Sequence, residues 1–113
     1  MRALIAGLAG LLLTAPALAA TPYWANPFNQ KIMKLSLADR NGALRRAITD
    51  SNEKCGRLSN SVYRGPHGNL GRWEAHCQPG GDFAVFAGPD GSVQVRNCKD
   101  MKDLKLPMCG KLD

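Results

Sequence analysis

One short stretch of the chain carries a guanidinium, a carboxylate and an imidazole at alternate positions. These groups belong to Arg72, Glu74 and His76, and alternate positions of a β-strand share one face of the sheet. Acid/base cleavage of a phosphodiester needs a base, an acid and a positive group that stabilises the charged transition state. Glu74 as base, His76 as acid and Arg72 or Arg96 as stabiliser therefore form a candidate catalytic set.

The same residues also describe an ordinary solvent-facing strand with a surface ion pair, and we favour this second interpretation. The chain contains no G-x-S-x-G, no P-loop and no dinucleotide-binding fingerprint, so the commoner enzyme classes lack their signatures. We interpret His67, in a glycine-rich loop, as a solvated turn residue. Imidazole and thioether groups suit copper, but the spacing of the histidines and methionines does not support a metal site. We expect no cofactor.

Four antiparallel strands are predicted around this stretch, because alternating segments are separated by glycine- and proline-rich turn signals. We place the strands near Leu58–Arg64, Arg72–Cys77, Phe83–Ala87 and Ser92–Asn97. The Pro89-Asp90-Gly91 loop sets the last hairpin so that Ala87 lies opposite Val93. We also expect Cys77 opposite Phe83 across the preceding turn.

This register divides the sheet into a buried face and an outer face. The buried face is predicted to hold Trp73, Ala75, Cys77, Phe83, Val85, Ala87, Val93 and Val95. The outer face is predicted to hold Arg72, Glu74, His76, Ala84, Phe86, Gln94 and Arg96, with Tyr63 joining from the first strand. Phe86 is the outlier, since a large aromatic side chain on a solvated sheet needs a cover or a partner. We expect that cover to be the Tyr23-Trp24 arm or another molecule.

Two helices are expected before the strands. Asn26-Pro27 is typical of a helix N-cap followed by proline at the first helical position. Ser36 and Asp39 resemble a capping box that begins the second helix. The predicted fold class is therefore α+β, with one or two N-terminal helices on a four-stranded antiparallel meander.

The first 20 residues show the three-part pattern of a signal peptide. Arg2 precedes the apolar run Ala3–Leu13, and small residues follow. We expect cleavage after residue 19 or 20, because Pro16 interrupts a stretch that is too short to span a bilayer. The remainder is predicted to be one small domain whose parts are an arm and short helix (21–35), a helix (36–52), an antiparallel sheet (57–98) and a pinned tail (99–113).

Four cysteines, Cys55, Cys77, Cys98 and Cys109, occur in this short chain, which we expect to be exported, and this combination indicates two disulfides. Each would stabilise the fold by about 2–4 kcal/mol. Four cysteines allow three pairings, and spacing alone does not select one. Cys98 and Cys109 are close in sequence, so we expect them to pair and pin the tail, leaving Cys55 for Cys77. No two cysteines have the C-x-x-C spacing of a zinc site.

The segment from Cys55 to Cys109 resembles small four-cysteine bacterial periplasmic proteins, a group without an assigned activity. The shared layout is Trp73-x-x-x-Cys77, Gly81-Asp82-Phe83, Asp90-Gly91-Ser92-Val93-x-Val95-x-x-Cys98 and Cys109. The resemblance implies a disulfide-stapled hairpin fold after a signal peptide. It implies no catalytic residue and no cofactor.

The formal charge is +6, with basic residues spread along the chain, which favours acidic partners slightly and gives no specific nucleic-acid signal. Our first hypothesis is a non-enzymatic periplasmic or secreted binding module. The alternatives are a small basic hydrolase of the nuclease type and a fixed subunit of an envelope complex. The sequence does not specify an oligomeric state. The candidate binding residues are Phe86, Arg72, Arg96, Glu74, His76, Tyr63 and Trp24.

Overall fold

The computed structural model describes residues 25–112. Two helices pack on one face of a four-stranded antiparallel sheet whose strands pair in chain order, which confirms the predicted α+β fold class. The elements are α1 (Pro27–Lys34), α2 (Leu37–Asp50), β1 (Leu58–His67), β2 (Leu70–Cys77), β3 (Gly81–Ala87) and β4 (Val93–Asn97). The predicted signal peptide and the Tyr23-Trp24 arm lie outside the described residues. No helix within residues 25–112 is long and apolar enough to cross a membrane.

Both helices begin at the predicted caps. The Asn26 side chain accepts a hydrogen bond from the Asn29 amide at 2.9 Å, with Pro27 at the first helical position. The Ser36 hydroxyl accepts one from the Asp39 amide at 3.2 Å. These bonds satisfy amide groups that otherwise lack partners at a helix start.

Asn26 also joins the first helix to the sheet. Its side-chain amide donates to the backbone carbonyls of Ala87 at 2.9 Å and Asn69 at 3.1 Å. We expect Asn26→Ala to lower the free energy of unfolding by about 2–3 kcal/mol, since it removes a cap and both side-chain hydrogen bonds that join α1 to the sheet. Ser36→Ala removes only a cap and should cost about 1 kcal/mol. Equal losses in urea denaturation would contradict this account of Asn26.

The register of the last hairpin is confirmed, and that of the preceding one is corrected. Ala87 pairs with Val93 as predicted. Cys77 pairs with Gly81 rather than Phe83, because the turn is only three residues long and Gly81, at a φ of 93°, already begins β3. A slip of two residues leaves every side chain of β2 and β3 on its predicted face.

The core between the helices and the sheet contains most of the predicted inward residues. Trp73, Ala75, Cys77, Phe83, Val85, Ala87 and Val95 are buried there with Ile32, Leu44 and Ile48. Val93 differs from the prediction and is 36% exposed. It is the first residue of an edge strand, beside the hairpin loop, where the core ends.

Tyr63 lies on the helix-covered face rather than on the outer face. It pairs with Trp73, and the two rings are 4.8 Å apart. Its hydroxyl accepts a hydrogen bond from the Asn29 side chain at 3.3 Å. A bulge between Tyr63 and Gly65 then shifts the register of β1, which runs to His67 through the predicted turn.

Both disulfides have the predicted pairing, Cys55–Cys77 and Cys98–Cys109. Residues 98–112, here called the C-terminal strap, cross the outer face of the sheet from β4 back toward β1. Met101 of the strap is fully buried against Ala84 and Phe86. The sheet is therefore covered by helices on one face and by the strap on the other.

Candidate functional site

The outer face of the sheet holds the predicted chemical groups in cross-strand rows. Because residues that pair directly in antiparallel strands share a face, the register fixes each row. The rows are Arg72–Phe86–Gln94, Glu74–Ala84–Arg96 and His76–Asp82. The predicted grouping of Arg72, Glu74 and His76 on one face is thus confirmed, but the strap divides these residues among separate surroundings.

Glu74 lies beneath the strap, is 1% exposed, and has both carboxylate oxygens occupied. Oε1 accepts hydrogen bonds from Arg64 Nε at 2.8 Å and from the Gly110 amide at 2.9 Å. Oε2 accepts from Arg72 Nη2 at 2.6 Å and from Nε at 3.1 Å. Arg64 Nη2 also donates to the Lys111 carbonyl at 2.7 Å. The carboxylate therefore ties two strands to the strap.

These contacts set the protonation state of Glu74. Burial by itself raises the pKa of the carboxyl group, but hydrogen bonds from Arg64, the Gly110 amide and Arg72 outweigh burial, so the pKa lies below its ordinary value of 4.5. A general base near neutral pH needs a pKa near that pH and contact with the substrate. This geometry gives Glu74 neither property and makes it a structural carboxylate.

Phe86 is covered, as its position requires, but by the strap. It is 3% exposed and packs with Met101, Leu106 and other apolar groups. The Arg72 guanidinium carbon lies 5.6 Å from the centre of the ring, and the His67 ring meets it edge-on at 5.5 Å. Phe86 and Arg72 are therefore not presented broadly to a partner while the strap is in place.

His76 belongs to a different cluster from Glu74. Its Nδ1 atom is hydrogen-bonded to the carboxylate of Asp82, its partner on β3. A cleft of about 480 Å³ lies on one side of this pair, lined in part by Asn97 and Lys99. A second cleft, of about 610 Å³, lies on the other side and is lined in part by Gln78. The carboxylate orients the imidazole ring and leaves its other nitrogen available.

A smaller cleft lies between β4 and the strap, here called the Arg96 cleft, with a volume of about 280 Å³. Its lining residues are His67, Leu70, Phe86, Gln94, Arg96, Leu104 and Leu106. Arg96 donates to the Val95 carbonyl at 2.8 Å and to the Gln94 side chain at 3.3 Å. Unlike Arg64 and Arg72, it forms no ion pair with any residue in the described part of the chain.

Comparison with known proteins gives no match, whether to a protein family, to a curated sequence or to a solved structure. Among residues 25–112, no three His, Cys, Asp or Glu side chains are grouped so that they could hold a metal ion. The functional conclusion therefore depends on the geometry of the outer face.

The sequence did not identify three participants in this face. Arg64 was placed at the end of β1, but the bulge beside it directs its guanidinium to Glu74. Asp82 precedes the predicted third strand, whereas in the structure it lies in β3 and pairs with His76. The strap supplies the Gly110 amide, and the expected Cys98–Cys109 link was the signal that this segment returns to the sheet.

Proposed function

We propose that this protein is a non-enzymatic binding or accessory module of the periplasm or the extracellular space. It engages an anionic protein partner through the Arg96 cleft. The observation that carries the proposal is Arg96, which has no acidic partner among residues 25–112 and lies beside an apolar cleft, on a face where the neighbouring arginines are paired with Glu74. The leader pattern and the two disulfides support an oxidising compartment.

The charge distribution favours a carboxylate at the cleft. Arg96 and Glu74 lie in the same row with Ala84 between them, which separates their strands by about 9–10 Å. Glu74 is already saturated by Arg64 and Arg72, so it contributes little attraction for Arg96. The Arg96 guanidinium is therefore available to an acidic group of a partner.

The size and lining of the cleft favour an anchoring side chain. Its volume of about 280 Å³ is at the lower limit of ligand pockets, which span about 300–1,000 Å³. Leu104, 45% exposed, forms part of its apolar wall. An apolar anchor surrounded by charged groups is the usual arrangement at the energetic centre of an interface.

The hydrolase alternative requires Glu74 as its general base. Glu74 is buried, and both of its carboxylate oxygens accept hydrogen bonds from the protein, which disfavours that role. His76 keeps an oriented imidazole, but the proposed catalytic set is divided between two clusters. This separation of Glu74 from His76 favours the binding module over the hydrolase.

The test is capture of a partner from envelope extract, with Arg96→Glu as the variant. We expect the partner to be recovered with about tenfold lower affinity by the variant, a loss of about 1.4 kcal/mol, because the variant places a negative charge where an acidic group binds. Arg46→Glu is the matched control, since Arg46 is exposed on α2, across the sheet. Calorimetry with the purified partner should give the same order of affinities, with Arg96→Glu binding more weakly than the wild type and Arg46→Glu. Equal affinities of the wild type and Arg96→Glu would reject the cleft as the binding site.

A further inference from the structure

The sheet has an open edge beside the Arg96 cleft. β4 ends the strand order, and within residues 25–112 no backbone–backbone hydrogen bond reaches its outer edge. The Val95 carbonyl on this edge accepts from the Arg96 side chain at 2.8 Å, a contact that an added strand would replace. An edge strand presents unpaired amide and carbonyl groups that can pair with another chain. β4 is also the strand that carries Gln94 and Arg96 into the cleft. The backbone edge and the cleft are thus parts of one continuous surface.

The register defines where the side chains of an added strand would lie. Gln94 continues the row of Phe86, and Arg96 continues the row of Ala84. A fifth strand would extend both rows, and its residues opposite Gln94 and Arg96 would be two positions apart on the outer face. The residue opposite Gln94 would lie at the mouth of the cleft. The residue opposite Arg96 would lie beside the guanidinium.

We propose that an extended peptide segment of the partner adds to β4 as a fifth strand. One large apolar side chain of the peptide enters the Arg96 cleft, and a carboxylate two residues away pairs with Arg96. This inference rests on the proposed function and deepens it by specifying the form and the pattern of the partner. In strand addition, backbone hydrogen bonds supply affinity, and pockets for alternate side chains supply specificity.

The apolar side chain and the carboxylate of the proposed peptide are each selected by a different feature of this surface. Leu104, Leu106 and the ring of Phe86 make the cleft apolar, and its volume accommodates one side chain of the size of phenylalanine or leucine. Arg96 selects a carboxylate because no acidic residue of the described chain pairs with it. The alternation of strand side chains then fixes the spacing at two residues.

The probe is a capped peptide of sequence Thr-Glu-Thr-Phe-Thr, which places glutamate opposite Arg96 and phenylalanine opposite Gln94 when it runs antiparallel to β4. It is titrated into the oxidised, isotope-labelled protein. We expect backbone amide resonances of β4 and side-chain resonances of Leu104 to shift. Replacing the peptide's phenylalanine by alanine or its glutamate by glutamine should weaken binding about tenfold each, the loss of one anchor or one charge pair. Arg96→Glu should have a similar effect, and Arg46→Glu should have none.

Two N-methylated peptides separate strand addition from side-chain docking. One carries methyl groups on the phenylalanine and glutamate amides, and the other on the threonine amides. Because alternate amides of a strand point to opposite edges, strand addition predicts that only one of the two peptides loses binding. Equal binding by both would overturn strand addition while leaving the Arg96 cleft as a site.

Two further outcomes would overturn the inference. The first is the absence of any β4 shift at about 1 mM peptide, a concentration that detects even weak binding. The second is self-association of the free protein through β4, which would make a second copy the occupant. In either case, partner capture by the wild type and Arg96→Glu still decides the proposed function separately.

Discussion

Glu74→Ala should lower the free energy of unfolding by about 3–5 kcal/mol, because it leaves a buried guanidinium without its counter-charge. Arg72 is 5% exposed and cannot turn to solvent, whereas Arg64 is less buried and can. Urea denaturation of the oxidised protein at neutral pH measures the loss. Glu53→Ala is the control, since Glu53 is exposed, and it should change the stability by less than about 0.5 kcal/mol. Similar values for the two variants would contradict the role assigned to Glu74.

A local measurement distinguishes loss of the strap from general destabilisation. The Gly110 amide donates to Glu74 Oε1, so its hydrogen exchange reports on the docked strap. In Glu74→Ala this amide should exchange faster under conditions in which amides in the centre of β2 and β3 remain protected. Uniform acceleration across the sheet and the strap would instead show that the strap has no independent opening.

The contribution of Glu74 should depend on pH in one direction. Its pKa is lower in the folded protein than its ordinary value of 4.5, so the unfolded chain takes up the proton first as the pH falls. The contribution is therefore complete above pH 4.5 and is lost as the pH falls through the lower folded-state pKa. The difference in stability between wild type and Glu74→Ala should shrink in that acidic range. A difference that stays constant there would contradict the assignment.

The faces of β2, β3 and β4 could be predicted from the sequence, because alternation depends only on local geometry. Placing Cys77 opposite Phe83 was wrong by two residues, yet Trp73 and Val85 remained on the buried face. An even slip preserves the faces, whereas an odd one reverses them. The identity of the buried side chains is thus more robust to turn length than the pairing itself.

The surroundings of the outer face could not be predicted from the sequence, because they depend on a contact between segments that are distant in the chain. Glu74 and Gly110 are 36 residues apart. The strap has no hydrophobic periodicity that would predict where it lies on the sheet. The position of Phe86 on the outer face indicated that another segment must cover it. The amino-acid sequence did not indicate which segment does so. The sequence alone is therefore compatible with an acid/base role and with a structural role of Glu74, and its hydrogen-bond partners favour the structural role.

The bulge in β1 explains why Arg64 was not anticipated. Gly65 adopts a φ of 98°, which glycine permits, and the pairing shifts between Tyr63 and that residue. A pattern of simple alternation has no place for such an irregularity. The isolated glycine within the strand pattern was the available signal.

Removing both disulfides should lower the free energy of unfolding by about 6 kcal/mol. Cys55–Cys77 and Cys98–Cys109 link residues separated by 22 and 11 positions, and loop-closure entropy assigns about 3 kcal/mol to each. A core of this size supplies only about 3–5 kcal/mol without such links. The loss is therefore larger than the stability that the core alone retains, and the urea midpoint should fall by more than half. The measurement is far-ultraviolet circular dichroism during urea denaturation of a variant with all four cysteines replaced by alanine.

The two single-disulfide variants should differ in what they lose. Cys55 and Cys77 are buried in the core beneath the helices, so their replacement adds a packing loss to the entropic one. Cys98 and Cys109 hold the strap, so their replacement should expose the Gly110 amide to exchange while the helix–sheet core stays folded. A folded four-alanine protein with a wild-type urea midpoint would show that noncovalent packing alone holds this sheet between its helices and its strap.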